Sequence, residues 1–153
     1  MTEPFVPPID PRTIAAPSRE IYGLMGEANI YRMLEDFYHE LTLASPQLRG
    51  MFPKNMLAAS HKSAAFFVGL LGGPPQYQER YGNPMMRARH LPFPITQSLR
   101  DEWLACFERV LADAPAKYAF PLQHLTGFRG FLRGFSLWMM NTTEPAKSTG
   151  SAG

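Results

Sequence analysis

The sequence is poor in the features that mark several large protein classes. It has a single cysteine, Cys106, which excludes an internal disulfide and suits a reducing compartment. Its formal net charge is only +2 and its basic residues are scattered, which argues against a nucleic-acid partner. No apolar stretch approaches the roughly 20 residues that span a bilayer, and the acidic, proline-broken N-terminus is unlike a signal peptide. We therefore expect a soluble cytoplasmic protein without a membrane partner.

Motifs of the common enzyme classes are also missing. The sequence has no Gly-x-Ser-x-Gly motif, no His-Glu-x-x-His motif and no cysteine–histidine cluster with zinc spacing. The pair Gly72-Gly73 follows a predicted helix and precedes prolines, which is unlike a phosphate-binding loop. Cys106 stands beside an apolar helical stripe and is interpreted as a core residue. We predict no catalytic residue of these classes.

The sequence is rich in apolar and aromatic residues. Hydrophobic residues make up 45% of its 153 residues, with 11 Phe, 6 Tyr and 9 Met. This length suits one domain with a substantial core, and the aromatic content fits a wide apolar pocket and a Phe-rich core equally well. We predict a proline-rich extended arm without helix at 1–17, one domain at 18–143 and a disordered tail at 144–153.

The spacing of apolar residues is helical across the domain, and no stretch predicts a strand. Ser18 is expected to cap a short first helix that ends near Gly26. A loop is predicted at 74–83, after the helix stop at Gly72-Gly73. The predicted class is therefore all-α. Long helices are predicted at 28–43, 55–71, 96–113 and 117–141, and short ones after Ser45 and at 85–90.

One histidine stands in surroundings that suit a metal-bound imidazole. His90 follows two arginines and precedes the apolar, proline-stiffened stretch 91–95. An axial haem ligand needs a neutral imidazole on a short rigid element that faces an apolar slot, and Arg87 and Arg89 could pair with the two propionates of a haem. A lone histidine is usually structural, so a helical domain without cofactor stays an alternative. The opposite wall of the slot would be the side of the helix at 55–71 that carries Ala59, Ser63, Phe66 and Phe67.

Several motifs resemble the second group of the truncated haemoglobins. They occur in the family's order and cover about residues 19–143, with the arm and the tail outside. The run around His90 is the longest of them. The motifs are Asp36-Phe37-Tyr38, Met51-Phe52-Pro53, Gly72-Gly73-Pro74 with Tyr77, the run from Arg87 to Ile95, and the run from Arg100 to Cys106.

This resemblance implies a truncated globin, a two-over-two helical sandwich around haem b (iron protoporphyrin IX). His90 would be the proximal ligand of the iron, and Tyr38 and Trp103 would donate hydrogen bonds to a bound ligand. Oxygen bound to iron carries partial negative charge, and a buried phenol and indole N–H are strong, preorganised donors. An ordinary core tyrosine and tryptophan are the alternative for these two residues.

The resemblance also places residues around the porphyrin. Ala59 matches the distal position, where a small side chain leaves a lateral opening. Ser63 lies one turn further on, and its hydroxyl either reaches the ligand or bonds to its own helix. His61 is expected to face away, about 200° around the helix from Ala59. The residues expected to contact the porphyrin or its propionates are Phe52, Lys62, Phe66, Phe67, Tyr77, Arg89 and Phe93.

The expected function is reversible binding of O2, and of CO or NO, at a ferrous iron, with slow release. Two hydrogen bonds of roughly 1 kcal/mol or more each would slow release by about ten-fold or more. The alternative is a haem-based redox enzyme, either peroxidase-like or an NO dioxygenase, and NO turnover would need an external reductase. Both a monomer and a homodimer are compatible with the sequence.

Overall fold

The computed structural model describes residues 5–144, and its regular elements in that range are all helical. The all-α prediction is therefore confirmed. No helix in this range is long and apolar enough to cross a membrane. The helices are α1 (Ile21–Met25), α2 (Glu27–Thr42), α3 (Pro46–Arg49), α4 (Met56–Leu70), α5 (Gln76–Tyr81), α6 (Met86–His90), α7 (Gln97–Leu111), α8 (Ala114–Tyr118) and α9 (Leu125–Met139), with 3-10 turns at Pro11–Thr13 and Leu122–His124.

The four long helices form a two-over-two sandwich. Helix α2 packs against α4, α7 packs against α9, and α2 also contacts α7. Phe37 of α2 stacks on Phe107 of α7 with ring centroids 4.0 Å apart, and Phe67 of α4 lies 5.9 Å from Phe128 of α9. All four rings are buried, and burying a side chain of this size contributes about 1.5–3 kcal/mol. This aromatic cluster holds the two helix pairs together.

The long helices begin where the sequence supplies a cap. The Asn55 side chain accepts a hydrogen bond from the backbone N–H of Ala58, and Thr96 accepts one from Leu99. Each cap satisfies an N–H that has no partner inside the helix. Ser18 does not act in this way for α1, because its hydroxyl accepts from the N–H of Glu20 and the helix begins later. The predicted helices at 28–43, 55–71 and 96–113 are confirmed to within about two residues at each end.

Helix α4 stops at the glycine pair as predicted, and the structure gives the reason. Gly72 has a φ of +107°, which L side chains rarely adopt. A Cβ atom there would also lie 1.9 Å from the carbonyl oxygen of Arg19. Only glycine therefore allows the segment before α1 to pass this close to the end of α4.

The predicted loop at 74–83 is wrong, because this stretch contains α5. Pro74 and Pro75 lie just before the helix rather than inside it. A proline there has a fixed φ that suits the start of a helix, and its missing N–H would be unpaired in any case. The two prolines therefore start a helix as well as ending the previous one.

The predicted last helix at 117–141 is wrong in its first part. Ala119 has a φ of +55° and ends α8. Pro121 has no backbone N–H and disfavours a helical conformation in the residue before it. Helix α9 consequently begins only at Leu125, after a 3-10 turn.

The N-terminal arm contains a turn and contacts the sandwich, so the prediction of an extended arm without helix is wrong. The 3-10 turn at Pro11–Thr13 is capped by Asp10, whose carboxylate accepts from the N–H of Arg12 at 2.9 Å. Ile14 then packs onto α9 at Gly134, where a Cβ atom would lie 3.2 Å from the isoleucine. The predicted boundaries at 17 and 143 stay predictions, and the predicted tail from 145 onward lies outside the described residues.

Candidate functional site

A cavity of about 370 Å³ lies among the long helices, lined mainly by apolar and aromatic side chains. Its volume is within the range of small-molecule and cofactor sites. Of the residues predicted at the site, the structure brings all but Arg87 to its wall. These residues are His90, Tyr38, Trp103, Ser63, Ala59, Phe52, Lys62, Phe66, Phe67, Tyr77, Arg89 and Phe93.

His90 is the last residue of α6, and its own helix determines which ring nitrogen carries the proton. The Nδ1 atom lies 2.6 Å from the carbonyl oxygen of Met86. A carbonyl oxygen only accepts, so Nδ1 must be the protonated atom. The other nitrogen, Nε2, then keeps its lone pair and has no hydrogen-bond partner among residues 5–144. This is the tautomer in which a neutral imidazole binds a metal.

The backbone that follows His90 is fixed by a residue that the sequence did not single out. The amide nitrogen of Asn141 donates to the carbonyl oxygens of Phe93 and His90, at 2.7 and 3.2 Å. Its amide oxygen accepts from the N–H of Ile95 at 2.9 Å. These contacts join residues 46 to 51 positions apart. A local sequence pattern therefore carries no signal for them.

Arg87 was expected beside a haem propionate, and the structure contradicts this. Its guanidinium donates to the carbonyl oxygens of Trp138 and Met140 at the C-terminal end of α9. The last carbonyls of a helix have no partner within it, which makes this end a favourable place for a cation. Arg87 does not line the cavity. It ties α6 to α9.

Arg89 and Lys62 place positive charge at the wall of the cavity. The Cζ atom of Arg89 lies 5.4 Å from the ring centroid of Tyr77, and the Nζ atom of Lys62 lies 5.0 Å from that of Tyr81. Arg89 also donates to the carbonyl oxygen of Tyr81 at 2.9 Å. Both cationic side chains are exposed. A carboxylate at this end of the cavity would find two partners.

Tyr38 and Trp103 both line the cavity and both contact Phe37. The ring centroid of Phe37 is 5.5 Å from that of Tyr38 and 5.4 Å from that of Trp103, edge-to-face in both cases. Burial raises the pKa of Tyr38, against a smaller opposing effect of the Ser63 hydroxyl. The phenol therefore keeps its proton at neutral pH. Phe52 closes the group, 5.6 Å from Tyr38.

The indole N–H of Trp103 has no acceptor among residues 5–144. In the same range no buried side-chain nitrogen or oxygen lacks a partner. The indole nitrogen is therefore not sealed in the core, and Trp103 lines the cavity. It is a donor without an intramolecular competitor in the described chain.

The three remaining polar residues of α4 have separate surroundings. His61 faces away from the cavity as expected, since its Nε2 atom lies 2.8 Å from a carboxylate oxygen of Glu35. Ser63 lines the cavity near Tyr38. The hydroxyl that bonds to its own helix is that of Ser60, which donates to the carbonyl oxygen of Leu57 at 2.7 Å.

The sequence profile of the bacterial-like globin family matches residues 20–126. The chain belongs to this family. Over 87 residues the globin is 41% identical to the group 2 truncated hemoglobin YjbI of Bacillus subtilis, a match that covers 57% of this chain and 65% of that protein. The matched segment thus spans just under two thirds of the length of this relative.

Solved structures of other globins agree with this assignment. The phosphate-bound Hell's gate globin IV superposes with a TM-score of 0.80 at 29% identity, over 95% of this chain and 88% of that one. The truncated oxygen-avid haemoglobin from Bacillus subtilis superposes with a TM-score of 0.67 at 32% identity, over 78% of this chain and 98% of that one. The predicted resemblance to group II truncated haemoglobins and the two-over-two fold are confirmed.

The residues that line the cavity of this globin fit a haem, independently of the comparisons with other globins. It offers an apolar slot, one imidazole in the metal-binding tautomer, and cations at the wall for two carboxylates. Membership of the globin family independently supports a protein that binds haem and, at its iron, oxygen.

The sequence did not predict two further polar contacts of the globin, which involve Arg100 and Glu102, neighbours of Trp103 on α7. Arg100 lines the cavity and donates to the hydroxyl of Ser136 on α9 at 3.0 Å. The Glu102 carboxylate accepts from the backbone N–H and the hydroxyl of Ser45, at 2.5 and 2.7 Å. The contact of Arg100 with Ser136 joins α7 to α9. The contact of Glu102 with Ser45 joins α7 to the residue that caps α3.

Proposed function

We propose that this globin binds haem b through Nε2 of His90 and holds O2 reversibly at the ferrous iron, with CO and NO as further ligands. The observation that carries the proposal is the hydrogen bond from Nδ1 of His90 to Met86, which leaves Nε2 as the metal-binding atom. The iron supplies the site for the diatomic molecule. We further propose that the protein acts in the cytoplasm.

The side chains of the cavity would hold the porphyrin at both its apolar and its charged edges. Arg89 and Lys62 would pair with the propionates, and Tyr77 would lie against them. The aromatic residues would pack against the macrocycle and exclude water. These residues are Phe52, Phe66, Phe67 and Phe93.

Tyr38 and Trp103 would set the rate of ligand release. Tyr38 is a neutral phenol and Trp103 a donor without an intramolecular acceptor in residues 5–144. Each hydrogen bond to a partly negative ligand is worth about 1 kcal/mol, so the pair would slow release by about ten-fold or more. The similar structure from Bacillus subtilis is described as oxygen-avid, which supports slow release. Ala59 adds no donor, and Ser63 is a weaker third one.

The absorption spectrum of the purified protein, reduced under nitrogen and then exposed to air, tests this proposal. We expect a haem Soret band that shifts to a stable oxygenated form. A haem band that oxidises at once in air would contradict reversible O2 binding. A protein that takes up no haem, even after haemin is added, would contradict the whole assignment.

A haem-based redox enzyme is the second candidate. The same two donors that hold O2 would assist cleavage of an O–O bond, and small Ala59 at the cavity wall would admit a small substrate. Steady-state turnover with peroxide, compared with free haemin at equal concentration, separates this candidate from plain binding. Turnover no faster than that of free haemin would remove it.

A further inference from the structure

Two tyrosines of α5 form a contact that runs from the cavity to the surface. Tyr77 lines the cavity and is 3% exposed, whereas Tyr81, one turn further along the helix, is 39% exposed. Their ring centroids lie 5.1 Å apart, at an angle of 50° between the planes. A phenol can lose one electron and one proton together, so two phenols in contact can pass an oxidising equivalent from one to the other.

Among residues 5–144, the other oxidisable rings of the cavity contact no exposed tyrosine or tryptophan. Tyr38 contacts the rings of Phe37 and Phe52, and Trp103 contacts those of Phe37 and Phe107. Phenylalanine gives up an electron far less readily than tyrosine or tryptophan. Among residues 5–144, the contact of Tyr77 with Tyr81 is the one that joins two tyrosine or tryptophan rings. The structure thus provides one aromatic exit route within the described chain.

The surroundings of the pair couple electron loss to proton loss. Lys62 lies over the ring of Tyr81 and Arg89 over that of Tyr77, at 5.0 and 5.4 Å. Positive charge this close opposes a ring cation, so each phenol must release its proton as it is oxidised. The Tyr77 hydroxyl has no hydrogen-bond partner among residues 5–144, where no buried side-chain oxygen lacks one. The Tyr77 hydroxyl is therefore not sealed in the core, so water can take its proton, and exposed Tyr81 releases its proton to bulk water.

We propose that Tyr81 is a surface oxidation site, connected to the haem pocket through Tyr77, at which small phenols are oxidised one electron at a time by hydrogen peroxide. The proposal rests on the proposed haem binding. The substrate class follows from the exposed ring of Tyr81, because a tyrosine oxidised at the surface is restored by a hydrogen atom from another phenol.

The chemistry balances with peroxide as the oxidant. Reduction of one hydrogen peroxide to two waters, at the haem site, consumes two electrons and two protons. Tyr77 supplies an electron to that site and its phenolic proton to water. Tyr81 then returns an electron to Tyr77, which regains a proton, and Tyr81 loses its own proton to solvent. A phenol at the surface restores Tyr81 by giving it a hydrogen atom. This sequence runs twice for each peroxide, so two electrons reach the haem site, two protons are released to water, and two phenols are converted to two phenoxyl radicals.

Spin trapping on the full-length ferric haem protein tests the route. The protein is mixed with hydrogen peroxide and a nitroso spin trap, and peptide mass spectrometry locates the adduct. We expect the adduct on Tyr81. Tyr81→Phe should lose it, and Tyr77→Phe, compared at equal haem content, should lose the adduct at Tyr81. The matched control Tyr22→Phe removes a tyrosine that lies outside the cavity and should leave the Tyr81 adduct unchanged.

Turnover of a phenol gives a second readout of the same site. We expect the parent protein to oxidise hydroxyphenylacetate faster than Tyr81→Phe does at equal haem content, and Tyr22→Phe to match the parent. An adduct on Tyr81 that survives Tyr77→Phe, or adducts confined to Tyr38 and Trp103, would overturn the proposal. The haem band of each sample separates two failures. A haem-loaded sample without the Tyr81 adduct overturns the route alone, and a sample without haem overturns the proposed function and the route with it.

Discussion

The Nδ1 atom of His90 lies 2.6 Å from the carbonyl oxygen of Met86, one turn earlier in the same short helix. This contact sets both the tautomer and the rotation of the imidazole within residues 86–90 themselves. The ring is thus oriented before any metal arrives, which lowers the cost of binding one. Removal of the imidazole therefore tests the proposed metal ligand directly.

His90→Gly should abolish normal haem retention, because it deletes the atom proposed to bind the iron. Free imidazole added to the variant should restore much of the parent absorption spectrum by filling the vacated place. His61→Ala is the matched control and should leave the haem band unchanged, since His61 bonds to Glu35 outside the cavity. A haem band of normal position and intensity in His90→Gly would remove His90 from the mechanism.

Trp103→Phe should raise the O2 dissociation rate by about five-fold, the kinetic equivalent of losing one hydrogen bond of about 1 kcal/mol. Stopped-flow replacement of O2 by CO measures this rate. Trp138→Phe serves as the control, because Trp138 lies outside the cavity wall and contributes its backbone carbonyl to Arg87. An unchanged rate in Trp103→Phe would show that the indole does not reach the ligand.

Asn141→Ala should destabilise the protein by about 2–3 kcal/mol, because three hydrogen bonds at typical net values are lost together. Urea unfolding measures the loss. The rate of haem transfer to an acceptor protein should also rise, because the backbone after His90 is no longer held. Asn83→Ala is the control, since Asn83 takes part only through its backbone carbonyl. Equal stability of the two variants would contradict the anchoring role of Asn141.

The carboxylate of Asp36 makes a pH-dependent contribution to stability. Burial alone would raise its pKa, but hydrogen bonds from Tyr118 and Lys117 and the charge of Arg32 outweigh it and hold the pKa below its ordinary value of 3.8. A pKa lowered by folding stabilises the protein above the unfolded value, and this contribution is lost as the pH falls through the folded value. The side chain is 43% exposed, so solvent screening keeps the effect modest.

Asp36→Asn should therefore be less stable than the parent at neutral pH, and the difference should shrink as the pH falls below about 4. Urea unfolding at a series of pH values measures both. Glu79→Gln, which removes an exposed carboxylate without an ion pair in residues 5–144, should show neither effect. A difference that grew toward acid pH would contradict the assignment to Asp36.

The sequence was sufficient to predict the residues of the cavity wall but not the residues that support them. Tyr38, His90 and Trp103 belong to runs of residues that are contiguous in the chain, so a resemblance can find them. The residues that support them could not be found in this way. Asn141 reaches residues 46 to 51 positions away, and Arg100 reaches Ser136 across 36 positions. Such pairs exist only once the helices have packed.

Two predictions from local sequence were wrong, the loop at 74–83 and the position of Arg87. The pair Gly72-Gly73 predicts the end of α4 and a loop after it, although proline at 74 and 75 also favours the start of a new helix. Arg87 was assigned to a propionate because it neighbours His90, whereas the open carbonyls at the end of α9 compete for it. For Arg87 a three-dimensional neighbour thus decided between two chemically reasonable partners.

The tethers of the His90 segment have a consequence for biosynthesis. Arg87 donates to backbone carbonyls at 138 and 140, and the backbone of 90–95 is held by the side-chain amide of Asn141. The ribosome adds these residues about fifty codons after His90. A nascent chain that has exposed His90, the proposed iron ligand, still lacks the contacts that hold it in place. If His90 binds the iron as proposed, haem acquisition follows the completion of α9, and a translation product that stops before this point would carry His90 without these contacts.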